Sequence, residues 1–288
     1  MTTIREAIDQ ATQSLILAKR DNARLDAQVL LSSVLLVERS YLYTYPDQVL
    51  TSEQNQLFRE FIQRRSQDEP VAYLVGHKEF YGLDFLVDKR VLIPRPETEL
   101  LVDVTLKVCS KMLEAGHMPV IADIGTGSGI IPITLAVLEP RLPYVYAIDI
   151  SSDALEVASE NCHRHQVEDR VRLLQGDLLE PLPEPVDVVT ANLPYVGTDE
   201  SEDIPLDVKA YEPHIALFSG PLGLDLLLRF FQSMQQSQKL KVGATILLEI
   251  GYLQTDALTS ILRDTLPQAT LTFTKDLAAW NRVLQVRL

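Results

Sequence analysis

Apolar residues near the start of the chain recur every three or four positions, which is the spacing of one face of an amphipathic helix. The residues on that face are Ile4, Ala7, Ile8, Ala11 and Leu15. Apolar clusters at 25–37 and 57–62 predict two or three further helices. We therefore predict a helical substrate-docking domain over residues 1–70, although the same periodicity is also typical of a domain that only packs.

The pattern of residue types changes from helical to strand-like in residues 71–95. Tyr, Phe, Val and Leu are interrupted there by Gly76 and Gly82, a pattern that predicts short strands or a hairpin. Pro96 and Glu97 then suit the start of a helix, because proline lacks no needed donor there and acids favour the positive helix end. We interpret 71–95 as an extended connector.

Short apolar runs alternate with helical patterns from residue 119 onward. The candidate strands are 119–124, 144–149, 171–174, 186–191 and 244–250. This alternation predicts a mostly parallel sheet with helices on both faces. Two last runs, 269–274 and 282–287, are too close together for a helical crossover and predict an antiparallel pair at one edge. The predicted fold class is α/β, with the catalytic domain at 96–288.

The charge of the chain is strongly negative. It carries a net charge of −14, and 18 Lys and Arg oppose 30 Asp and Glu in residues 71–288. A protein whose main ligand is nucleic acid usually clusters Lys and Arg to displace counterions from phosphates. We therefore expect no direct binding of nucleic acid.

The two cysteines, Cys109 and Cys162, form no CxxC pair, so we expect neither disulfides nor a thiolate metal site. His163 and His165 are two positions apart rather than four, and we assign no metal. The sequence shows no signal-peptide pattern and no apolar run long enough for a bilayer. We expect a cytoplasmic, soluble monomer without membrane contact.

A glycine-rich loop follows the first predicted strand of the sheet. Its predicted cofactor-binding residues are Gly125, Thr126, Gly127, Ser128 and Gly129. Glycines let the backbone turn sharply and let a ligand approach main-chain N–H groups. The spacing is GxGxG, and Ile130 stands where a dinucleotide fingerprint would need its third glycine. The loop therefore favours a nucleoside cofactor other than NAD.

Acidic residues follow the next two strands. Asp149 lies 24 positions after Gly125, where a carboxylate can accept hydrogens from ribose hydroxyls. Helix capping ahead of Ser151 is the alternative. Asp177 and Leu178, after the third strand, are predicted to lie beside the adenine, with an ordinary turn as the alternative.

The fourth strand ends in Asn192, Leu193, Pro194 and Tyr195, the predicted substrate-binding residues. The Asn192 side-chain carbonyl and a main-chain carbonyl can each accept one hydrogen of a substrate NH₂ group, which fixes the plane of that group. Tyr195 can stack on a flat substrate. Because an amide nitrogen is a poor nucleophile, catalysis would depend on alignment and electrostatic stabilisation. We predict Asn192, Pro194 and Tyr195 as catalytic residues; a simple strand-to-loop turn is the alternative.

These four residues resemble the NPPY motif of class I methyltransferases that act on planar NH₂ groups, among them adenine-N6 enzymes and release-factor glutamine enzymes. The upstream blocks EPVAYLVGHKEFYGLDFLVD at 69–88 and VLIPRPETE at 91–99 are similar to the hallmark of the release-factor enzymes. Further matches are YEPHIAL at 211–217, LEIG at 248–251 and KDL at 275–277. The resemblance thus covers nearly the whole chain.

The resemblance implies a Rossmann-like class I methyltransferase sheet and S-adenosylmethionine as cofactor, with Asn192 also close to it. It further implies methyl transfer to the N5 side-chain amide of the glutamine in the Gly-Gly-Gln loop of class 1 peptide release factors. Leu193 departs from the usual first proline, and the loop 219–224 departs from its usual pattern and receives no role. The alternatives are an adenine-N6 nucleic-acid methyltransferase and a cofactor-binding scaffold without activity.

Overall fold

The computed structural model of the chain describes residues 2–200 and 204–288. The α-helices of the described residues are α1 (Ile4–Leu17), α2 (Ala23–Leu35), α3 (Arg39–Thr44), α4 (Ser52–Ser66), α5 (Val71–Val75), α6 (Thr98–Glu114), α7 (Ile130–Leu138), α8 (Ser152–Arg164), α9 (Leu206–Tyr211), α10 (Asp225–Gln236) and α11 (Thr255–Thr265). The β-strands are β1 (His77–Phe80), β2 (Leu83–Leu86), β3 (Ile121–Ile124), β4 (Val145–Asp149), β5 (Val171–Gln175), β6 (Val186–Ala191), β7 (Leu240–Glu249), β8 (Thr270–Lys275) and β9 (Asn281–Arg287).

One compact unit consists of the residues up to His77 and the returning segment Pro205–Tyr211. Its helices are α1 to α5 and α9. The first helix begins at a capping box, in which the Thr3 side chain accepts from the Glu6 backbone while the Glu6 side chain accepts from Thr3. Apolar side chains of α1, α2 and α4 form the core of this unit, as the amphipathic spacing predicts.

The segment Pro205–Tyr211 joins this unit through polar contacts. The Tyr211 hydroxyl donates to the Gln67 carbonyl oxygen at 2.7 Å. Arg65 lies 3.6 Å from the Asp207 carboxylate. Sequence periodicity gave no sign of this return, because the contacts are made by single polar side chains rather than by an apolar stripe.

The predicted connector begins with a helix rather than with a strand. Val71–Val75 contains β-branched and aromatic residues that favour strands, yet it forms α5, and the prediction of extended structure was wrong there. Leu74 is buried in the helical core, so tertiary packing outweighs the local preference. The rest of the connector contains the predicted hairpin, in which β1 pairs with β2. Tyr81 and Gly82 form its turn with positive φ, which is typical of a two-residue hairpin loop.

The second unit is built on a seven-stranded sheet with the order β5-β4-β3-β6-β7-β9-β8. The five neighbouring strands β5, β4, β3, β6 and β7 run parallel to one another. Strand β9 runs antiparallel to both of its neighbours, β7 and β8. Each of the seven predicted strands coincides with one of these. The predicted α/β class, with a mostly parallel sheet and an antiparallel edge pair, is therefore confirmed.

Helices cover both faces of the sheet. Side chains from α6, α7 and α8 pack on one face, and those from α10 and α11 pack on the other. Successive residues of β3 alternate between the two cores: Ile121 belongs to the first and Ala122 to the second. The chain leaves β3 toward β4 and later returns to β6 on the opposite side. In open α/β sheets a ligand cleft forms at such a switch point, at the carboxyl ends of the strands.

None of the helices in residues 2–200 and 204–288 combines the length and the apolar character needed to span a membrane.

Candidate functional site

A cleft of about 350 Å³ lies at the carboxyl ends of β3, β4, β5 and β6, within the range of small-molecule sites. Most of the predicted site residues line it. They are Gly125, Thr126, Gly127, Ser128, Asp149, Asp177, Leu178, Asn192, Leu193 and Pro194. Gly129 and Tyr195 do not belong to the lining. Residues from four separate loops thus meet at one place.

The glycine loop adopts a backbone that side chains would disrupt. Gly125 and Gly129 have φ values of +71° and +80°, in the left-handed region that favours glycine. A Cβ on Gly129 would lie 2.9 Å from Ile133 Cδ1, and one on Gly125 would lie 3.0 Å from Leu193 Cδ2. The loop therefore packs closely against α7 on one side and against the loop after β6 on the other.

Leu193 is buried, and its contact with the glycine loop gives a reason for a leucine at this position. Its side chain packs against Gly125 and also contributes an apolar group to the lining of the cleft. The neighbouring Pro194 lines the cleft.

A buried asparagine that the sequence analysis did not single out holds the glycine loop in place. Asn161, on α8, donates to the carbonyl oxygens of Ser128 at 2.9 Å and Leu86 at 3.0 Å. Its own side-chain oxygen accepts from the Leu86 N–H at 2.8 Å. Asn161 thus links the glycine loop to β2, and both its amide nitrogen and its amide oxygen are hydrogen-bonded. A polar residue on the inward, otherwise apolar face of α8 was the only sequence signal.

Asp149 ends β4 with its carboxylate at the cleft. It accepts from Gly127 N at 2.8 Å and from Ser151 N at 3.0 Å. Burial raises the pKa of this carboxyl, and the backbone hydrogen bonds from Ser151 and Gly127 oppose the shift. The side chain that caps α8 is Ser151, which accepts from Ala154 N. Asp149 therefore keeps lone pairs available for the hydroxyl groups of a ligand.

Asp177 and Leu178 lie on the same side of the cleft, after β5. The Asp177 carboxylate accepts from Arg229 Nη2 at 2.5 Å, so part of its capacity is already used. Leu178 is buried and has a positive φ of 51°, which gives the turn a fixed shape. This wall of the cleft is thus partly apolar and partly acidic.

Asp123 lies beneath the glycine loop and is completely buried. It accepts from Thr190 Oγ1 at 2.7 Å. Burial raises the pKa of its carboxyl to about 7, and the hydrogen bond from Thr190 opposes the shift. We did not select Asp123 from the sequence, although it lies in β3 only two residues before the glycine loop.

The opposite wall contains a chain of side-chain hydrogen bonds. Asn192 Nδ2 donates to Thr98 Oγ1 at 3.1 Å, and Thr98 Oγ1 donates to Glu249 Oε2 at 2.7 Å. The Tyr195 hydroxyl donates to the other carboxylate oxygen, Glu249 Oε1, at 3.2 Å. Thr98 and Glu249 were missed as site residues, because each lies far from Asn192 in sequence. Their positions within the motif blocks at 91–99 and 248–251 were the available signal.

Glu249 is buried at the end of β7. Burial raises the pKa of its carboxyl, and the hydrogen bond from Thr98 and the charge of Arg282 oppose the shift. Burial, together with the charge of Glu249, also raises the pKa of the Tyr195 phenol. Tyr195 therefore keeps its proton and acts as a donor to Glu249.

The backbone of Tyr195 is also fixed. Gln254 Nε2 donates to its carbonyl oxygen at 2.9 Å. A Cβ on Gly223 would overlap that same oxygen, so the two backbones approach closely. Tyr195 is thus held behind the cleft wall, and its stacking on a substrate stays a prediction.

Arg95 lines the cleft and pairs with a buried carboxylate. Its Nη2 lies 2.5 Å from Glu212 Oε1, and Glu212 Oε2 accepts from Ile93 N at 3.1 Å. Glu97 stands before α6 without a side-chain capping hydrogen bond. Among the residues that the structure describes, no group of three His, Cys, Asp or Glu side chains could hold a metal ion.

Comparison with protein families gives two matches. The family model described as the PrmC N-terminal domain matches residues 6–76. The model described as ribosomal protein L11 methyltransferase (PrmA) matches residues 102–194.

Curated relatives match over nearly the whole chain. The release factor glutamine methyltransferase of Koribacter versatilis is 41% identical over 265 residues, which cover 91% of this chain and 91% of that protein. The release factor glutamine methyltransferase of Rhodopirellula baltica is 35% identical over 288 residues, or 99% of this chain and 96% of that protein.

Solved structures are similar at the level of the fold. The hMettl16 catalytic domain in complex with a MAT2A 3′UTR hairpin superposes with a TM-score of 0.56 at 16% identity, covering 86% of this chain and 91% of that chain. The N-terminal domain of human METTL16 in complex with SAH superposes with a TM-score of 0.51 at 18% identity, covering 78% and 82%.

Proposed function

Because the chain belongs to the release factor glutamine methyltransferase family, we propose that it methylates the side-chain amide nitrogen of the glutamine in the Gly-Gly-Gln loop of a class 1 peptide release factor. The motif resemblance is confirmed at the level of the family. The chain is accordingly an enzyme of the methyltransferase class. The observation that carries the substrate proposal is the Asn192 amide, which lies in the cleft wall and is tied to Thr98.

The cleft has groups that fit S-adenosylmethionine. Asp149 would accept from the ribose hydroxyls, because its carboxylate retains lone pairs beside Gly127. Leu178 and Asp177 would lie beside the adenine. Gly127 leaves the loop backbone open to close approach by the ligand, because a Cβ there would meet nothing within 4 Å. When bound, this cofactor supplies an electrophilic methyl group on a sulfonium sulfur.

The substrate side of the cleft would fix the amide to be methylated. Asn192 Oδ1 and a main-chain carbonyl of the same loop would each accept one hydrogen of the glutamine NH₂. The nitrogen is thereby held in one plane and aimed at the methyl group, which lowers the entropy cost of the reaction. The fixed carbonyl dipoles favour the positive charge that grows on nitrogen. None of the described residues that line the cleft is a His or a Lys, and the alignment mechanism requires no such base.

The two alternative functions receive less support. An adenine-N6 enzyme would share the Asn192 loop, but residues 71–288 are acidic, with 18 Lys and Arg against 30 Asp and Glu. The similarity to the hMettl16 structures, at 16% identity, concerns the fold alone. An inactive scaffold would not require a fixed Asn192 side chain, yet hydrogen bonds through Thr98 to Glu249 hold this side chain in place.

The proposed function is tested by incubating the purified protein with labelled S-adenosylmethionine and an unmodified class 1 release factor or unmethylated DNA. Mass spectrometry then locates any added methyl group. We expect methyl on the Gly-Gly-Gln glutamine, and none on a release factor whose glutamine is replaced by alanine. Methyl on DNA alone would support the adenine enzyme. Cofactor binding without transfer to either substrate would support the scaffold.

A further inference from the structure

A single buried carboxylate holds both polar side chains of the Asn192 loop. Glu249 is 1% exposed and accepts from Tyr195 at one oxygen and from Thr98 at the other. Thr98 is also 1% exposed and links Glu249 to Asn192. We propose that Thr98 and Glu249 are positioning residues that set the orientation of the Asn192 amide, and that this orientation selects glutamine over glutamate. The inference rests on the proposed function.

The orientation follows from counting donors and acceptors. An ionised carboxylate only accepts hydrogen bonds, so the hydrogen between Thr98 and Glu249 belongs to the Thr98 hydroxyl. A hydroxyl has only one hydrogen, and Thr98 can therefore only accept from Asn192. Asn192 must present its NH₂ group to Thr98, which leaves its oxygen Oδ1 for the cleft. With the amide turned over, two oxygens would face each other with no hydrogen between them.

The fixed orientation discriminates between two side chains of nearly equal shape. Glutamine offers an NH₂ group, which donates to Asn192 Oδ1. Glutamate at neutral pH offers only acceptor oxygens and a negative charge, so it meets Oδ1 with repulsion and without a hydrogen bond. A site that is built to pair with an NH₂ group rejects an analogue that lacks it, because the buried partner is left unsatisfied. The same arrangement that aligns the reacting nitrogen thus also sets specificity.

The three residues come from separate elements of the second unit, which limits their freedom to rearrange. Thr98 is the first residue of α6, Glu249 the last of β7, and Asn192 follows β6. The burial of Thr98 and Glu249 excludes water that could otherwise replace Thr98 as the partner of the Asn192 amide on that side. The orientation is therefore set by the fold before a substrate arrives.

The test replaces Thr98 by valine, which keeps the shape of the side chain and removes the hydroxyl. The Asn192 NH₂ group then loses its acceptor and is free to turn toward the cleft. Thr98→Ser keeps a hydroxyl and should restore the wild-type behaviour. The matched control is Thr105→Val on the same helix: Thr105 is fully buried, but its hydroxyl donates to Leu101 O away from the cleft.

The decisive readout is the ratio of dissociation constants for two release factors, one with the natural glutamine and one with glutamate at that position. Contacts made elsewhere by the release factor cancel in this ratio. We expect Thr98→Val to shrink the preference for glutamine about tenfold and to lower kcat by a similar factor, the equivalent of one hydrogen bond. The dissociation constant for S-adenosylmethionine should not change. Thr105→Val should leave both ratio and kcat at the wild-type level.

An unchanged ratio in a folded Thr98→Val protein would overturn the inference. If that variant does not fold, Thr98→Ala decides instead. It also removes the hydroxyl, and its smaller side chain fits the same space, so it should shrink the glutamine preference in the same direction. A folded Thr98→Ala protein with the wild-type ratio would then overturn the inference.

Failure of this inference is distinguishable from failure of the proposed function. If the wild-type protein transfers no methyl group to the release factor, the proposed function fails. If it does transfer methyl and the variants keep the wild-type ratio, only the positioning role is lost.

Discussion

The two walls of the cleft are built in different ways. The wall proposed for the cofactor is centred on the loop 125–129, where glycines supply the turn and Gly127 N donates to Asp149; Asp177 and Leu178 complete it from the loop after β5. The wall proposed for the substrate is a set of side chains, in which Asn192 reaches Thr98 across 94 sequence positions and Thr98 reaches Glu249 across 151. One wall depends on local backbone shape, whereas the other depends on tertiary assembly.

The two walls should therefore be sensitive to different kinds of substitution. Adding a side chain in the loop 125–129 acts mainly by disturbing the backbone, because Gly125 and Gly129 have positive φ and a Cβ on either would crowd a neighbouring side chain. A change at Thr98 or Glu249 leaves the backbone intact and alters which way a neighbouring side chain faces. Cofactor affinity and turnover should therefore respond to separate sets of substitutions.

The largest separation is expected from Asn192→Ala. This change removes the aligned amide oxygen, so kcat should fall by ~10² or more. The dissociation constant for S-adenosylmethionine should stay within about twofold of the wild type, since the other residues proposed to bind the cofactor lie on the other wall. Steady-state kinetics measures kcat, and equilibrium binding measures the dissociation constant. Equal losses in both would show that Asn192 serves the cofactor and that the walls are not independent.

The reverse separation is expected from Asp149→Ala. Loss of a carboxylate that accepts from ribose hydroxyls should raise the dissociation constant for S-adenosylmethionine about 30-fold, because hydrogen bonds to charged groups contribute ~2 kcal/mol. At saturating cofactor, kcat should change little. Isothermal titration calorimetry gives the affinity, and Asp153→Ala at the exposed start of α8 is the matched control. Unchanged affinity would remove Asp149 from the site.

A smaller effect on the cofactor wall is expected from Asn161→Ala. The change leaves the buried backbone groups of Leu86 and Ser128 without their partner, and the free energy of unfolding should fall by about 2 kcal/mol. The cofactor dissociation constant should rise several-fold as the loop loosens, with kcat preserved. Chemical denaturation measures the stability. Ser159→Ala, on the exposed face of the same helix, should match the wild type.

The smallest effect is expected from pH. Burial raises the pKa of Glu249, an effect that Arg282 opposes and Glu97 reinforces, so protonation sets in at a higher pH than for an ordinary carboxyl. The protonated group can donate to Thr98, which releases the Thr98 hydrogen toward Asn192 Oδ1. At a pH equal to this pKa half of the molecules are affected, so kcat at that pH should be about half of its value on the plateau at higher pH.

A pH profile of kcat at saturating substrates measures this effect. The Thr98→Val variant is its control, because the path from Glu249 to Asn192 is already broken there. If kcat fell at low pH in the same way in the variant and in the wild type, the fall would have to come from another titrating group.

The sequence predicted the elements that local patterns determine. Alternating apolar runs located all seven strands of the sheet, and the spacing of Gly125, Gly127 and Gly129 located the glycine turn after β3 at the edge of the cleft. These features are local, because a strand buried on both faces and a glycine turn each require particular residues at consecutive positions. The family resemblance rested on such local blocks as well, and it was confirmed by the relatives.

The features that were missed depend on partners distant in sequence. Val71–Val75 has the composition of a strand, but packing of Leu74 into the helical core makes it a helix. Asn161 and Glu249 are polar residues in buried positions, and only the fold reveals that each one satisfies groups from other elements. The roles proposed for Asp149 and Asn192 remain predictions that the experiments above test.

Because Pro205–Tyr211 packs with the helical unit, a truncated or domain-swapped version of the protein cannot be made at a single boundary. A truncation after His77 would deliver a fragment without the Arg65 partner Asp207 and without the Tyr211 hydroxyl that caps the Gln67 carbonyl. The other fragment, which begins at Lys78, would contain α9 without the residues of the helical unit that contact it. The helical unit is therefore not an exchangeable module at one end of the chain, and a fusion or swap would have to exchange two separate stretches of coding sequence together.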